Sequence, residues 1–343
     1  MMKLITGLSE NELSGKKILL RVDFNVPVEN GKILDIYKIK AHKKTIDYLI
    51  SRDAIITLLS HITAVESFEP LTDQIKEILG TKNFSLYENV RKYNDEEINN
   101  EGFAEELAKS FDIYVNDAFS VSHRKHASVV AITKFLPSYA GLLFIKEIEN
   151  LGKIIKSPKE GKTLILGGAK IETKFPVIKN FLDKAQMILI GGAIANVFLK
   201  ASGVDIKKSL SDNNFLEDAQ NLLKEENIVI PDDYVISNDM ILDIGEKTAD
   251  KFVEIVGKSK MIIWNGPLGK AEISEFSRSS EKIAKAIVDS SAFSVIGGGD
   301  TIAFLEDSGL TNKFSYVSTG GGAMLDFLAG KTLPGLVALG YVD

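Results

Sequence analysis

The stretch TLILGGAKIETK, residues 163–174, passes from a short apolar segment of β-forming residues through a double glycine into a segment of helical character. A glycine turn in that position sets unpaired backbone N–H groups at a helix N-terminus, where they can face an anion. The pattern recurs three times. GGA (Gly191–Ala193), GGGDT (Gly297–Thr301) and TGGGA (Thr319–Ala323) each follow an apolar run and precede a helical one. Four such turns within about one domain, two of them carrying Lys170 or Asp300, point to a polyphosphate site.

Working outward, apolar runs at Met187–Ile190, Ile228–Ile230, Met261–Trp264 and Phe293–Ile296 join Thr163–Leu166 as five buried strands alternating with helical patterns. Upstream, Lys17–Val22, Ala54–Ser60 and Asp112–Asn116 read as strands, and Ile39–Ser51 as a helix with a stripe of Ile39, His42, Ile46, Leu49 and Ile50. Strands that are nearly continuously apolar belong to a parallel sheet covered on both faces, so the expected class is α/β. FIKEIENLGKII (Phe144–Ile155) predicts a helix, followed by the loop SPKEGK. A helix bridging two lobes and an ordinary surface helix both fit that pattern.

At 343 residues the chain is long for one core and suits two domains. Its hydrophobic share of 45% and charged share of 26% are those of a globular protein, not a disordered one. A net charge of −6 argues against a general nucleic-acid surface but leaves room for a locally basic cleft. With no cysteine, neither disulfides nor thiolate chemistry is available. No apolar stretch approaches the roughly 20 residues that span a bilayer, and no charged-then-apolar leader pattern opens the chain. The expected location is cytoplasmic, with no membrane partner.

Ligands of doubly wound sheets sit beyond the carboxyl ends of the strands, where all four glycine turns fall. No GxxxxGK[ST] occurs, and no turn completes GxGxxG, because Ile302 stands at the third glycine position of GGGDTI. Lys170 and Lys174 lie four apart; a helix starting near Ala169 would put both on one face, able to reach phosphate oxygens or simply solvated. Asp300 could cap its helix, or hold Mg²⁺ together with phosphate and water oxygens. WNGPLGKAE (Trp264–Glu272) adds a tight turn and Glu272, a candidate acceptor for ribose hydroxyls. In the first domain, RVDFNVP (Arg21–Pro27) points Asp23 and Asn25 the same way after a strand. Later strand ends bring His61, Arg91, His123, Arg124 and His126, a set suited to a small acid bearing carboxylate and phosphate.

RVDFNVP, ENVR, VNDAFSVSHRKHAS, LPSYAG, GGAKIETK, WNGPLG, GGGDT and STGGGA follow one another as in phosphoglycerate kinases, and over nearly its whole length the chain resembles that family. The resemblance implies two Rossmann-like three-layer domains with parallel sheets, joined by a hinge helix. The N-terminal domain would be 1–143 and bind 3-phosphoglycerate, the hinge 144–157, and the nucleotide domain 158–330. Residues 331–343 would form a tail returning to the first domain. The implied reaction is transfer of a phosphoryl group between 1,3-bisphosphoglycerate and ADP, with ATP/ADP as co-substrate and Mg²⁺, in a monomer. By the same resemblance Asp23, Asn25, Lys38, His61, Arg91 and Arg124 would hold the acid. Gly168, Ala169, Lys174, Asn265, Pro267, Glu272, Gly298, Gly299, Asp300 and Thr301 would bind the nucleotide, Asp300 its metal. Lys38, Lys170 and the amides of Gly320, Gly321 and Gly322 would neutralise the phosphoryl group in flight.

The departures gather on the acid side. The family's catalytic arginine, in D-x-x-R-I, is Lys38 in DIYKIK, which keeps the charge but loses the planar fork. SHLGRP has become SHITAV, with Thr63 for the glycine and Ala64 for a substrate arginine; Lys125 is a candidate replacement charge. Thr173, the GGAI turn and Lys270–Ala271 are further changes on the nucleotide side. Losing one arginine contact would weaken acid binding by roughly one to two decades. Two alternatives stay open on these residues: a relative acting on another small acid, and a silent nucleotide-binding protein. The histidines read as hydrogen-bonding groups, not general bases, and the transfer as direct and in line.

Overall fold

The structure is a computed structural model that describes residues 2–341. The chain divides into two compact units, one running to Glu149 and resuming at Thr332, the other covering Asn150–Lys331.

The first unit is built on five parallel strands: β1 (Lys17–Arg21), β2 (Ile55–Leu59), β3 (Ser85–Leu86), β4 (Ile113–Asn116) and β5 (Ser138–Ala140). Their order across the sheet is β3-β2-β1-β4-β5. The β1 sequence explains why it is central. Ile18 and Leu20 bury into the core on one face while Leu19 packs with Leu59 and Tyr114 on the other. The second unit has six parallel strands: β6 (Lys162–Leu166), β7 (Met187–Ile190), β8 (Ile228–Val229), β11 (Met261–Asn265), β12 (Phe293–Gly297) and β13 (Tyr316–Ser318). A hairpin, β9 (Tyr234–Ser237) and β10 (Met240–Ile244), precedes β11 and turns through Asn238 and Asp239 at φ of 50° and 61°. The six-stranded order is β8-β7-β6-β11-β12-β13. Both sheets reverse direction of winding beside their first strand, which opens a crevice at that strand's carboxyl end.

Two expectations change here. The predicted helix over Ile39–Ser51 is two helices, α1 (Ile36–Ala41) and α2 (Lys43–Ile50), broken at His42. The His42 side chain is buried and occupied by hydrogen bonds to Asp23 and Asp117, so it acts as a polar strut and not as part of an apolar stripe. The sheets also gain β3, β5 and β13, strands of two or three residues whose apolar runs are too short to register as a period. The segment expected as a helix at Phe144–Ile155 is α3 (Leu142–Lys156). Its last turn is capped by buried Lys162, whose Nζ donates to the carbonyls of Ile154 (2.7 Å) and Ser157 (2.8 Å). Near the other end of the chain, the Gly335 amide donates to the Ser122 carbonyl at 2.8 Å, within the first unit.

Each glycine turn lies between a strand and a helix: α4 (Ile171–Phe181), α5 (Gly192–Ala201), α6 (Gly299–Asp307) and α7 (Gly322–Leu328) follow them. At the crevice the turns touch each other. Gly266 sits at φ +89°, and a β-carbon there would stand 2.2 Å from the Gly167 carbonyl oxygen. We expect Gly266→Ala to cost about 1–3 kcal/mol from the backbone conformation alone, with the clash added. Gly309, at φ +67° with open space around it, isolates the conformational part. Thermal unfolding should therefore show Gly266→Ala well below Gly309→Ala; equal melting points would refute the close packing of the turns.

Candidate active site

In the first unit the acid-side residues converge at the β1–β4 crevice. Asp23, just past β1, is buried and forms an ion pair with Lys38 Nζ at 2.8 Å. Lys38 Nζ also donates to the Asn25 carbonyl at 3.1 Å, and Ser120 Oγ donates to Asp23 Oδ2. Lys38 is placed by α1, whose N-cap Asp35 accepts the Lys38 amide at 3.0 Å. Burial opposes ionisation of Asp23, but Lys38 and the Ser120 hydroxyl outweigh it and hold the carboxyl well below the usual range. Thr63 donates to the Asn25 side-chain oxygen through both its amide and its hydroxyl, each at 3.0 Å. Thus the residue that replaces the expected glycine fixes Asn25.

Behind this pair lies a set of cations. Arg21 is fully buried, with Nε donating to Ser128 Oγ at 3.0 Å and Nη2 3.3 Å from His61 Nδ1. Buried Glu96 accepts from the Ser128 amide (2.8 Å) and hydroxyl (2.6 Å). Burial, Arg21, Arg91 and Lys38 push His61 down to about 3 against the pull of Asp23. Burial and the charges of Arg91, Arg124 and Arg21 push His126 down to about 4. Both imidazoles are therefore neutral at pH 7, which suits hydrogen bonding and excludes a standing positive charge on either. Arg91 itself is lowered by burial and by Arg124. Its guanidinium pairs with Glu97, while its buried Nε finds no partner among the described residues. Arg124 is exposed and reaches His123 Nε2 at 3.3 Å.

In the second unit a cleft of about 310 Å³ opens at the β6–β11 crevice. It is lined by the glycine-turn residues Gly168, Ala169, Gly192 and Ala193, by Pro267 and Leu268, by apolar Leu210, Met240, Ile241 and Leu242, and by polar Asn196, Asp243, Lys270, Glu272 and Asp300. Such a mostly apolar lining with a few polar groups fits a flat aromatic ring that bears polar substituents. Lys174 is buried in the first turn of α4, and Lys170 is exposed at its N-cap. Burial pulls the Lys174 ammonium down to about 8, with Asp300 opposing and Lys170 adding to the fall.

The turns differ from the expected cradle of free amides. Gly167, Gly168, Gly192 and Ala193 donate to the carbonyls of Asn265, Pro267, Leu268 and Gly168 at 2.7–3.1 Å, so these N–H groups brace the crevice. Among the described residues, the amides of Gly298–Thr301 and of Gly321–Gly322 remain without such partners; the Gly320 amide donates to Ser318 Oγ. The Thr301 side chain is buried and its hydroxyl accepts the Gly266 amide at 2.8 Å, so it braces the turn. Asn265 is buried with Nδ2 unpartnered, next to the Gly298 backbone. Sequence reading missed Arg21, Glu96, Ser120 and Ser128, since a buried polar residue in a strand or loop leaves no periodic signal.

A model of the family described as phosphoglycerate kinase matches residues 8–84 and 63–331. The chain belongs to the phosphoglycerate kinase family. It is 39% identical to the phosphoglycerate kinase of Finegoldia magna over 384 aligned positions, covering 96% of this chain and 97% of the relative. For that of Dictyoglomus turgidum the identity is 39%, with 98% of each covered. The first alignment is longer than the chain itself, so the relative carries segments that this chain lacks. Among solved structures, phosphoglycerate kinase from Pyrococcus horikoshii OT3 superposes with a TM-score of 0.89 at 32% identity, covering 99% of this chain and 98% of that one. The corresponding Coxiella burnetii structure gives 0.87 at 33%, covering 99% of each. The α/β class with two parallel-sheet units is that of the family, and the chain is a phosphotransferase using small-molecule substrates, a nucleotide among them. No helix among the described residues is long and apolar enough to cross a membrane.

Lys174 gives a pH test. Its folded value lies below the ordinary lysine one, so between about 8 and that value the unfolded chain binds more protons and this group's contribution to stability rises with pH. Its usefulness to an anion runs the other way. The charged form is lost as pH climbs through about 8. Titrating nucleotide affinity across that range should show a decline in the wild type that Lys174→Arg flattens, because arginine stays charged. An identical decline in both proteins would remove Lys174 from the site.

Proposed function

We propose that the chain transfers a phosphoryl group in line between the acyl phosphate of 1,3-bisphosphoglycerate and ADP, giving 3-phosphoglycerate and ATP, and reversibly. The observation that supports this reading best is the gathering of cations in one crevice. Burial, with Arg21, Arg91, Arg124 and Lys38 adding to it, lowers the protonation of His61, Arg91 and His126, and the buried Nε of Arg91 has no partner among the described residues. A small polyanion suits that cluster. Asp23 and Asn25 then take the acid's hydroxyl and carboxyl end, and His61, Arg91 and Arg124 its anionic groups. Lys38 stands over Asp23 and Asn25 in place of an arginine, a point charge where the family has a fork.

On the nucleotide side, Gly168, Ala169, Asn265 and Pro267 would border the purine and Glu272 the ribose. Lys174 and the first-turn amides of Gly298, Gly299, Asp300 and Thr301 would meet the phosphates. Lys170 with Gly320–Gly322 would neutralise the migrating group. The Asp300 carboxylate is exposed beside Lys174, with no second carboxylate, histidine or cysteine clustered around it among the described residues. That donor set suits a Mg²⁺ that arrives on the nucleotide and takes most of its oxygens from phosphate and water. When bound, the ion would spread the negative charge of the terminal phosphates.

Phosphoryl transfer asks little covalent chemistry of a protein; alignment and charge neutralisation supply most of the rate. As acid and nucleotide residues belong to different units, turnover includes a step that brings the two substrates to reaction distance, with residues 144–157 as the hinge. We read the protein as a cytoplasmic monomer. A coupled assay with 3-phosphoglycerate and MgATP, run beside a panel of small acids, should give activity with 3-phosphoglycerate alone. Tight nucleotide binding without turnover on any acid would overturn the reading. Lys170→Ala should lower kcat by about 10²–10³-fold with a small change in the KM values, as expected of a group that acts on transition-state charge. An unchanged kcat would exclude that role.

A further inference from the structure

His42 occupies the break between α1 and α2 and touches the backbone of Asp23 and the carboxylate of Asp117. The Asp23 backbone N–H donates to His42 Nε2 at 3.0 Å, and His42 Nδ1 lies 2.8 Å from Asp117 Oδ2. A backbone amide can only donate, so Nε2 is the acceptor and the ring proton sits on Nδ1, given to Asp117. Asp117 Oδ1 in turn accepts the Leu143 amide (2.9 Å) in the first turn of α3 and the Thr45 hydroxyl (2.8 Å). The fit leaves no slack: a β-carbon on Gly141 would stand 2.2 Å from Asp117 Oδ1. His42 and Asp117 are both buried, and the His42 ring meets Phe24 edge-on at 5.8 Å.

We propose that His42 is a positioning residue for the acid side. Through its fixed tautomer it ties the first turn of α3, by way of Asp117, to the backbone of Asp23, and so sets where the Asp23 carboxylate presents Lys38. This rests on the reading that Asp23 and Lys38 hold the acid substrate. A bond of this kind fixes ground-state geometry, so its loss falls on the acid and spares the nucleotide.

Steady-state kinetics of His42→Ala and His42→Gln, with Asp23→Ala alongside and thermal unfolding of each, test it. His42→Ala should raise the KM for 3-phosphoglycerate about tenfold and leave that for MgATP within about twofold. Glutamine, whose side-chain carbonyl can accept the Asp23 amide, should recover part of the loss. An unchanged acid KM in folded His42→Ala, a glutamine variant no better than the alanine one, or equal rises in both KM values overturns the proposal. Should His42→Ala fail to fold, His42→Gln and the ¹⁵N chemical shifts of the wild-type ring decide: Nδ1–H at neutral pH supports the strut, and Nε2–H contradicts it. If Asp23→Ala itself leaves the acid KM unmoved, the reading of the acid site fails instead.

Discussion

Several cations held in one buried place repel each other, and the first unit is organised around containing that repulsion. Arg21 has no exposure at all, and Glu96 reaches it through Ser128. Glu97 pairs with Arg91, and Asp23 with Lys38. Two neighbouring imidazoles yield their protons under the same field. Each of these partners holds its cation in place, and a crevice lined by several held cations suits a ligand that carries several negative charges in a small volume.

The second unit builds its crevice by another route. Its glycines serve less to free amides than to let three turns approach one another, with Gly167, Gly192 and Gly266 each too close to backbone for a side chain. That contact fixes the crevice floor, and Trp264 strengthens it by donating from its indole to the Gly266 carbonyl at 2.8 Å. Of the four glycine turns, those that open α6 and α7 keep amides without a partner among the described residues. Burial pulls the Lys174 ammonium down to about 8.

How much of this was legible in the sequence depends on how each feature is encoded. Central strands such as β1, β6 and β11 declared themselves, because a strand buried on both faces is apolar over most of its length, with polar residues such as Arg21 and Lys162 at its ends. Of the short edge strands only β8, with its apolar Ile228–Ile230 run, was read; Ser85–Leu86 holds no period to read. Residues presented by turns, Asp23, Asn25, Lys170 and Asp300, were found because glycine and polar clusters after apolar runs mark strand ends. Buried polar partners stayed hidden. His42 looked like a half-apolar member of a helix, and only coordinates place it between two aspartates. Lys38 was read as a weakened arginine; its ion pair with Asp23 and its bond to the Asn25 carbonyl anchor it where a rotamer argument from sequence could not.

A crystal structure of the ternary complex with 3-phosphoglycerate, Mg²⁺ and a non-hydrolysable ATP analogue bears most directly on the central claim. The account requires Lys38 to contact the acid's carboxyl end and Lys170 an oxygen of the terminal phosphate. Finding both ammonium groups directed into solvent, with the ligands neutralised by other residues, would contradict it.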